Sequence, residues 1–376
     1  MPYGKQSVNQ DDIDAVVRVL RGDWLTTGPA VNAFEKALAE HTGGGTCVAV
    51  TSGTAALHTA YAAARIGPGD EVITPPTTFV ATQSTAVACG ATIRFADVQE
   101  DTANIDPDCV GALICDRTRA VVAVDYAGHP ADLDELRQLA DRHGLLLIED
   151  AAHSVGSTYR GRPVGSIADL TTFSFFPTKN VTTGEGGAIS TFDANLARRM
   201  RHFRNHGLVR DQESLQHPDE GPWHQEVQEF GLNYRLPDIL AALGVSQLAR
   251  LSQFKRRRAQ IVATYNALLA DVPGISLPAE RAYVEPMWHL YPLRVHDGRR
   301  RRVFESLRSA GIGVQVNYVP AYWHPAFEAM GYRRGLCPNS ERFYEQEISL
   351  PLFPSLSDAD VERVANSVIH SLRRLA

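Results

Sequence analysis

One lysine and one carboxylate stand where they could do chemistry together. Residues 171–187 read TTFSFFPTKNVTTGEGG, an apolar, strand-like run that delivers Lys179 into a turn rich in Thr and Gly. Residues 145–153 read LLLIEDAAH, a second apolar run ending on Asp150, 29 residues before the lysine. An anchored lysine can hold an aldehyde cofactor as a Schiff base, and a strand-end carboxylate can keep a pyridine nitrogen protonated. The pairing points to pyridoxal 5'-phosphate (PLP), whose ring is an electron sink for a carbanion on the substrate. Each residue also has an ordinary explanation. Lys179 could be a surface lysine beside a turn, and Asp150 could cap a helix beginning AAHS.

Neighbouring residues supply further candidates. His153 lies three residues beyond Asp150 and could reach Asp150 or the phenolic oxygen of such a cofactor, or be a core histidine. Ser52, Gly53 and Thr54 precede an alanine-rich helical run. Small residues there leave backbone N–H groups free for a phosphate, and the helix dipole favours the anion. The same triplet would serve equally as an ordinary N-cap. Ser174 could add a hydroxyl to that phosphate. Phe79, in PPTTFVATQ, could stack on the pyridine ring or sit in the core.

These residues need a scaffold, and the pattern supplies one. Strand-like runs at 47–50, 71–74, 92–97, 120–125, 145–150, 171–175 and 187–191 alternate with helical runs such as 54–66 and 132–144. In the latter, Leu133, Leu136, Leu139 and Ala140 share a face and Gly144 offers a C-cap. Alternation of this kind predicts an α/β fold with a mainly parallel central sheet sandwiched by helices. Ligands in such sheets sit beyond the carboxyl ends of the strands, where Asp150 and the SGT triplet fall. After about residue 245 the character changes. A long helical run over 244–272 reads as a connector. Strand-like runs at 289–295 and 313–319 and helical runs at 301–311 and 358–375 follow. The expected organisation is a large PLP-binding domain, 1–245, and a smaller C-terminal α/β domain, 246–376. Residues 210–227 are polar and irregular and read as a mobile loop.

Composition narrows the function classes. The 376 residues carry a net charge of −6, with 44% hydrophobic and 21% charged residues, normal for a soluble globular protein. A general nucleic-acid binder would usually be basic, and the KRRR (255–258) and RRRR (299–302) runs read as solvated helix faces. No apolar stretch approaches a membrane span, and the N-terminal residues lack a signal-peptide core, so a cytoplasmic location without membrane contact is expected. The five cysteines form no C-x-x-C pair and read as buried reduced thiols, with no metal site.

The longer runs, in order, are similar to a known family. They include GDWLTTGPAVNAFEKALAE (22–40), VAVTSGTAALH (48–58), GPGDEVITPPTTFVAT (67–82), ADVQEDTANIDP (96–107), IEDAAHSVGSTYRGRPVGSIAD (148–169), TTGEGG (182–187) and FGLNYRLPDILAALGVSQL (230–248). With them the chain resembles, over nearly its whole length, the sugar aminotransferases of the DegT/DnrJ/EryC1/StrS family, within the fold type I (aspartate aminotransferase-like) PLP enzymes. PYGKQSV and WLTTGP look most like enzymes that aminate C4 of a UDP-linked 4-keto-6-deoxy-hexosamine in pseudaminic acid biosynthesis.

The resemblance implies a ping-pong transfer from an amino donor, L-glutamate by family analogy, to a nucleotide-linked keto sugar. Lys179 would hold PLP and shuttle the proton, and the cofactor would alternate with pyridoxamine phosphate (PMP). Asp150 would pair with the pyridine nitrogen, His153 would lie beside the ring and Phe79 would stack on it. Ser52, Gly53, Thr54 and Ser174 would hold the phosphate. Asn233 would reach the phosphate in a partner subunit, implying a homodimer with shared sites. Arg235, Tyr318 and His324 match positions near the sugar nucleotide. One departure is visible. Many C4-aminating members carry SFH ahead of the lysine, whereas Phe176 and Asn180 here look like members that aminate C3 of a dTDP-linked keto sugar. A keto-cyclitol aminotransferase shares the same motifs. A related dehydratase would carry histidine in place of Lys179. A non-catalytic regulator that only binds PLP or a sugar nucleotide would need neither Lys179 nor Asp150.

Overall fold

The computed structural model describes residues 1–374. Its main element is a seven-stranded sheet: β1 (Thr46–Val50), β2 (Glu71–Thr74), β3 (Thr92–Phe95), β4 (Thr118–Val124), β5 (Leu146–Asp150), β6 (Leu170–Ser174) and β7 (Gly187–Thr191). The strands are ordered β1-β7-β6-β5-β4-β2-β3. β3, β2, β4, β5 and β6 run parallel, and β7 is antiparallel to both β6 and β1. β2 and β5 are buried almost throughout, as expected of parallel strands covered on both faces by helices.

The helices follow from their apolar stripes. Leu133–His143 buries Leu133, Leu136 and Ala140 and ends on Gly144 at φ +63, the left-handed cap that glycine adopts without strain. Gly53–Ala63 is small and apolar nearly all round, so it fits against the sheet directly beneath its own capping residue Ser52. Register then sets the functional edge. Val124 pairs with Asp150, Asp150 with Thr172, Ser174 with Gly187 and Gly187 with Val50. The carboxyl ends of β1, β4, β5 and β6 therefore face one side, where antiparallel β7 begins.

A second core lies in the C-terminal part. Three antiparallel strands, Ile275–Ser276, Tyr291–Val295 and Glu347–Leu350, pack with the helices Leu251–Leu269, Arg300–Ser309 and Asp358–Arg373 around Tyr265, Leu293, Val303, Ile348 and Val364. The last expected helical position, Leu375, lies outside the described residues.

The structure corrects several expectations. The single connector over 244–272 is two helices, Asp238–Leu248 and Leu251–Leu269. The first packs with the Phe34 and Phe175 core, and the second turns Ile261, Val262 and Tyr265 into the C-terminal core, two faces that one straight stripe cannot serve. Residues 313–319 form no strand beyond a bridge between Gln315 and Ser349. The Asn317 amide is instead taken by the Glu347 carboxylate at 2.7 Å. No helix begins at AAHS; residues 152–156 are turns. In the KRRR run, Arg258 is buried rather than solvated and donates to the carbonyls of Trp288, His289 and Leu352. Cys47 and Cys337 are buried, but Cys115 is exposed and Cys89 and Cys109 are half-buried; all five are free thiols. Among the described residues no helix is long and apolar enough to cross a membrane, and no cluster of His, Cys, Asp and Glu could hold a metal.

Candidate active site

A cavity of about 580 Å³ opens at the carboxyl ends of the strands. Ser52, Gly53, Thr54, Phe79, Asp150, His153, Ser174, Lys179 and Tyr318 all line it. Chain separation disappears because each of these residues is placed by a strand end or by the segment that crosses above it.

Lys179 sits in a braced turn. Its N–H donates to Phe176 O at 2.9 Å. Asn180 Nδ2 donates to His153 O and Met287 O, tying the turn to two other segments. Thr183 N and Thr182 Oγ1 both return to Phe175 O, each at 3.0 Å. Burial strips water from the Lys179 ammonium and pulls its pKa down to about 8, with the Asp150 carboxylate opposing the shift. Lys179 therefore supplies a neutral amine in useful amount near physiological pH.

Asp150 is buried at the end of β5. Thr82 Oγ1 donates to its Oδ2 at 2.7 Å and Ala152 N to its Oδ1 at 3.2 Å. Burial raises its pKa, and these two donors and Lys179 work against the rise. His153 Nε2 lies 3.1 Å from the Tyr318 hydroxyl, and its ring lies 4.3 Å from that of His289. Both imidazoles are held well below their ordinary pKa, first by burial; Lys179 adds to the shift in each and His153 in His289. Both are neutral at pH 7, and each leaves a buried Nδ1 without a protein partner.

The third feature is the turn before the helix Gly53–Ala63. Ser52 Oγ accepts from Ala55 N at 3.0 Å, which leaves the Gly53 and Thr54 amides without intrahelical acceptors. The turn is packed from below by glycine. A Cβ on Gly187 would lie 2.3 Å from Ser52 O, and one on Gly53 would lie 2.8 Å from Ser174 Cβ. Gly187→Ala must therefore displace the backbone of Ser52 and Gly53. We expect it to weaken PLP binding by about tenfold or more, within the 1–3 kcal/mol of typical overpacking, as measured by equilibrium titration of the apo protein.

Other expected residues lie elsewhere. Phe79 is 59% exposed at the rim, edge-on to Tyr318 at 6.3 Å between ring centroids, and so is no core residue. Asn233 is exposed and bridges Asn205. Arg235 donates to Asn205 Oδ1 at 2.6 Å and lines a second cavity of about 670 Å³ with Arg201, Arg204, Arg210 and His206. His324 lies half-buried in the turn before the helix Pro325–Ala329 and lines neither cavity. Phe176 lines the first cavity, whereas Asn180 braces backbone and does not. Tyr3, Thr82 and His289 also line it without having been singled out from the sequence. Thr82 lay inside the PPTTFVAT run, but nothing local marks a threonine as the partner of a distant aspartate.

The chain matches the model of the DegT/DnrJ/EryC1/StrS aminotransferase family over residues 6–369. It is 40% identical over 374 residues to the spore coat polysaccharide biosynthesis protein SpsC of Bacillus subtilis, covering 98% of this chain and 96% of SpsC. Among solved structures it is similar to Helicobacter pylori PseC, an aminotransferase involved in the biosynthesis of pseudoaminic acid, with 32% identity, 99% of each chain covered and a TM-score of 0.92. It is also similar to Spr1654 of Streptococcus pneumoniae in its PLP-form, with 31% identity, 100% of this chain and 99% of that chain covered, and a TM-score of 0.94. A half-buried lysine sharing a cavity with a strand-end carboxylate, on a fold shared from end to end with these proteins, leads to one assignment: the chain belongs to the DegT/DnrJ/EryC1/StrS aminotransferase family.

Proposed function

We propose that this protein is a PLP-dependent sugar aminotransferase that carries an amino group from L-glutamate to a nucleotide-linked keto sugar, at C4 of a 4-keto-6-deoxy-hexosamine. The observation that carries the reading is Lys179, half-buried with its pKa lowered by desolvation to about 8 in the same cavity as Asp150.

The residues present fit PLP. Asp150 is a buried carboxylate whose ionised form calls for a cation beside it, the role of a protonated pyridine nitrogen. The Gly53 and Thr54 amides, with Ser52 and Ser174, would hold its phosphate at a helix N-terminus. The orphaned Nδ1 atoms of His153 and His289 leave polar capacity in the walls. Bound there, PLP supplies the electron sink that stabilises negative charge on the carbon losing its proton. The chain does the rest. Lys179 Nζ would take the α-proton from the amino donor and return it on the far side of the transferred nitrogen. The hydrogen bonds from Thr82 and Ala152 N favour the charged form of Asp150 against its burial, and Tyr318 and His289 fix the His153 ring.

Similarity to PseC, an aminotransferase of pseudoaminic acid biosynthesis, supports a sugar substrate, and the runs PYGKQSV and WLTTGP, which resemble enzymes that aminate C4 of UDP-linked keto sugars, support C4 and the UDP link. The placement of Asn233 and Arg235 outside the chain's own cavity supports a homodimer in which they serve the partner's site. Phe176 favours a second reading, amination at C3 of a dTDP-linked keto sugar, because it lines the cavity and departs from the C4-type pattern. L-Glutamate should bleach the visible absorbance of the PLP-loaded protein, and a UDP-linked 4-keto-6-deoxy-hexosamine should restore it. Restoration by a dTDP-linked 3-keto sugar alone would favour the second reading. Failure to bleach with any amino donor would sink the transaminase reading.

A further inference from the structure

We propose that Tyr3 is a specificity-determining residue of the keto-sugar pocket, an inference that rests on the sugar aminotransferase reading above. Tyr3 lies far along the chain from Ser52, Asp150 and Lys179, yet its half-buried side chain lines the cavity. Backbone contacts deliver it. Met1 O accepts from Gly313 N at 2.7 Å, and Tyr3 O accepts from Leu352 N at 3.1 Å. Further along, Ser7 O accepts from Gln247 Nε2 at 2.9 Å. A Cβ on Gly313 would lie 2.6 Å from Met1 O and 2.9 Å from Tyr3 N, so residues 1–3 lie flush against the C-terminal part of the fold.

The segment that receives this strap continues directly into the site. Gln315, Val316, Asn317 and Tyr318 line the cavity with Tyr3. Tyr3 and Tyr318 both pack on the cluster that holds Tyr126, Leu290 and Phe343. Strap and segment thus form a single wall, while Asp150 and the turn at Ser52 belong to the large sheet. On that wall most polar ends are engaged. The Tyr318 hydroxyl faces His153 Nε2 at 3.1 Å, and Asn317 Nδ2 donates to Ser349 Oγ at 2.9 Å. The Tyr3 phenol has Thr178, the residue before Lys179, as its neighbour. A threonine hydroxyl can rotate and leave the phenol free to exchange partners. A phenol offers an apolar face with one donor and acceptor at its end, which suits a sugar ring that presents C–H patches beside hydroxyls. Tyr3 is therefore placed to hold a sugar hydroxyl on the side of the cavity next to the reactive lysine.

Tyr3→Phe tests this, because it keeps the ring on Tyr126, Leu290 and Phe343 and removes only the hydroxyl. The two half-reactions are measured separately on PLP-loaded protein: bleaching by L-glutamate, and restoration by a UDP-linked 4-keto-6-deoxy-hexosamine or a dTDP-linked 3-keto sugar. The expected result is a rise of about tenfold in KM for the keto sugar, with the L-glutamate half-reaction and the thermal midpoint unchanged. An unchanged sugar KM overturns the proposal by showing that the hydroxyl makes no contact. Equal losses in both half-reactions, or a lowered thermal midpoint, overturn it in favour of a structural strap. Wild-type protein that bleaches with L-glutamate but is restored by neither sugar overturns the sugar reading itself, and this proposal with it.

Discussion

Lys179→Ala is expected to abolish amino transfer, with a loss of at least about 10⁴-fold in turnover. In the proposed mechanism the variant loses the neutral amine that captures the cofactor and the base that moves the α-proton, and among the described residues no other lysine lines the cavity. Steady-state transfer and the visible absorbance of the PLP-titrated protein report the two losses separately. A variant that retains turnover would falsify the assignment of Lys179.

The same residue has a pH signature. Burial lowers its pKa from the ordinary 10.5 to about 8, so the folded state releases a proton that the unfolded chain retains between those values. The unfolded state binds more protons in that window, so stability rises with pH across it. The destabilisation is fully present below pH 8 and is gone above 10.5. Urea titrations of the apo protein should show the wild type gaining stability relative to Lys179→Met as pH rises from 8 towards 10.5, a trend absent if the amine is solvated. Capture of PLP by the wild type should speed up with pH and level off above about 8.

Asp150→Asn is the second large effect, with an expected loss of about 10³-fold in turnover. The amide keeps the shape of the side chain but cannot carry the charge that a pyridinium requires, and its NH₂ cannot accept the Thr82 hydroxyl as Oδ2 does. PLP should still bind, because the turn at Ser52 proposed to hold its phosphate is untouched. Single-turnover bleaching by L-glutamate should therefore slow by the same factor while the fold and cofactor content persist. Loss of PLP binding with an intrinsic rate left unchanged would show that Asp150 serves affinity rather than chemistry.

Most of the large sheet was legible because its strands are short apolar runs punctuated by Gly, Pro and Thr. The runs 71–74 and 187–191 match strands residue for residue, and 145–150 differs from its strand by one residue. The pairing of Lys179 with Asp150 was legible for the same reason, since strand ends in parallel sheets share an edge. The C-terminal part was harder to read. Residues 313–319 have the composition of a strand, but their amides meet Glu347 and Met1 as well as Ser349. Arg258 looked like its exposed neighbours, because nothing local shows that three carbonyls converge on it.

By itself the sequence determined the α/β plan and pointed to the candidate pair and the candidate phosphate turn, all of which depend on local pattern or on the periodicity of single elements. Tertiary structure alone decided what surrounds that pair. Thr82 on Asp150, His289 on His153, Gly187 beneath Ser52 and Tyr3 beside Thr178 come from segments between 68 and 175 residues apart. No local propensity encodes such contacts. Thr82 and Gly187 are brought there by packing within the large sheet, His289 and Tyr3 by the C-terminal part closing over its edge, and the resulting desolvation brings the pKa of half-buried Lys179 to about 8.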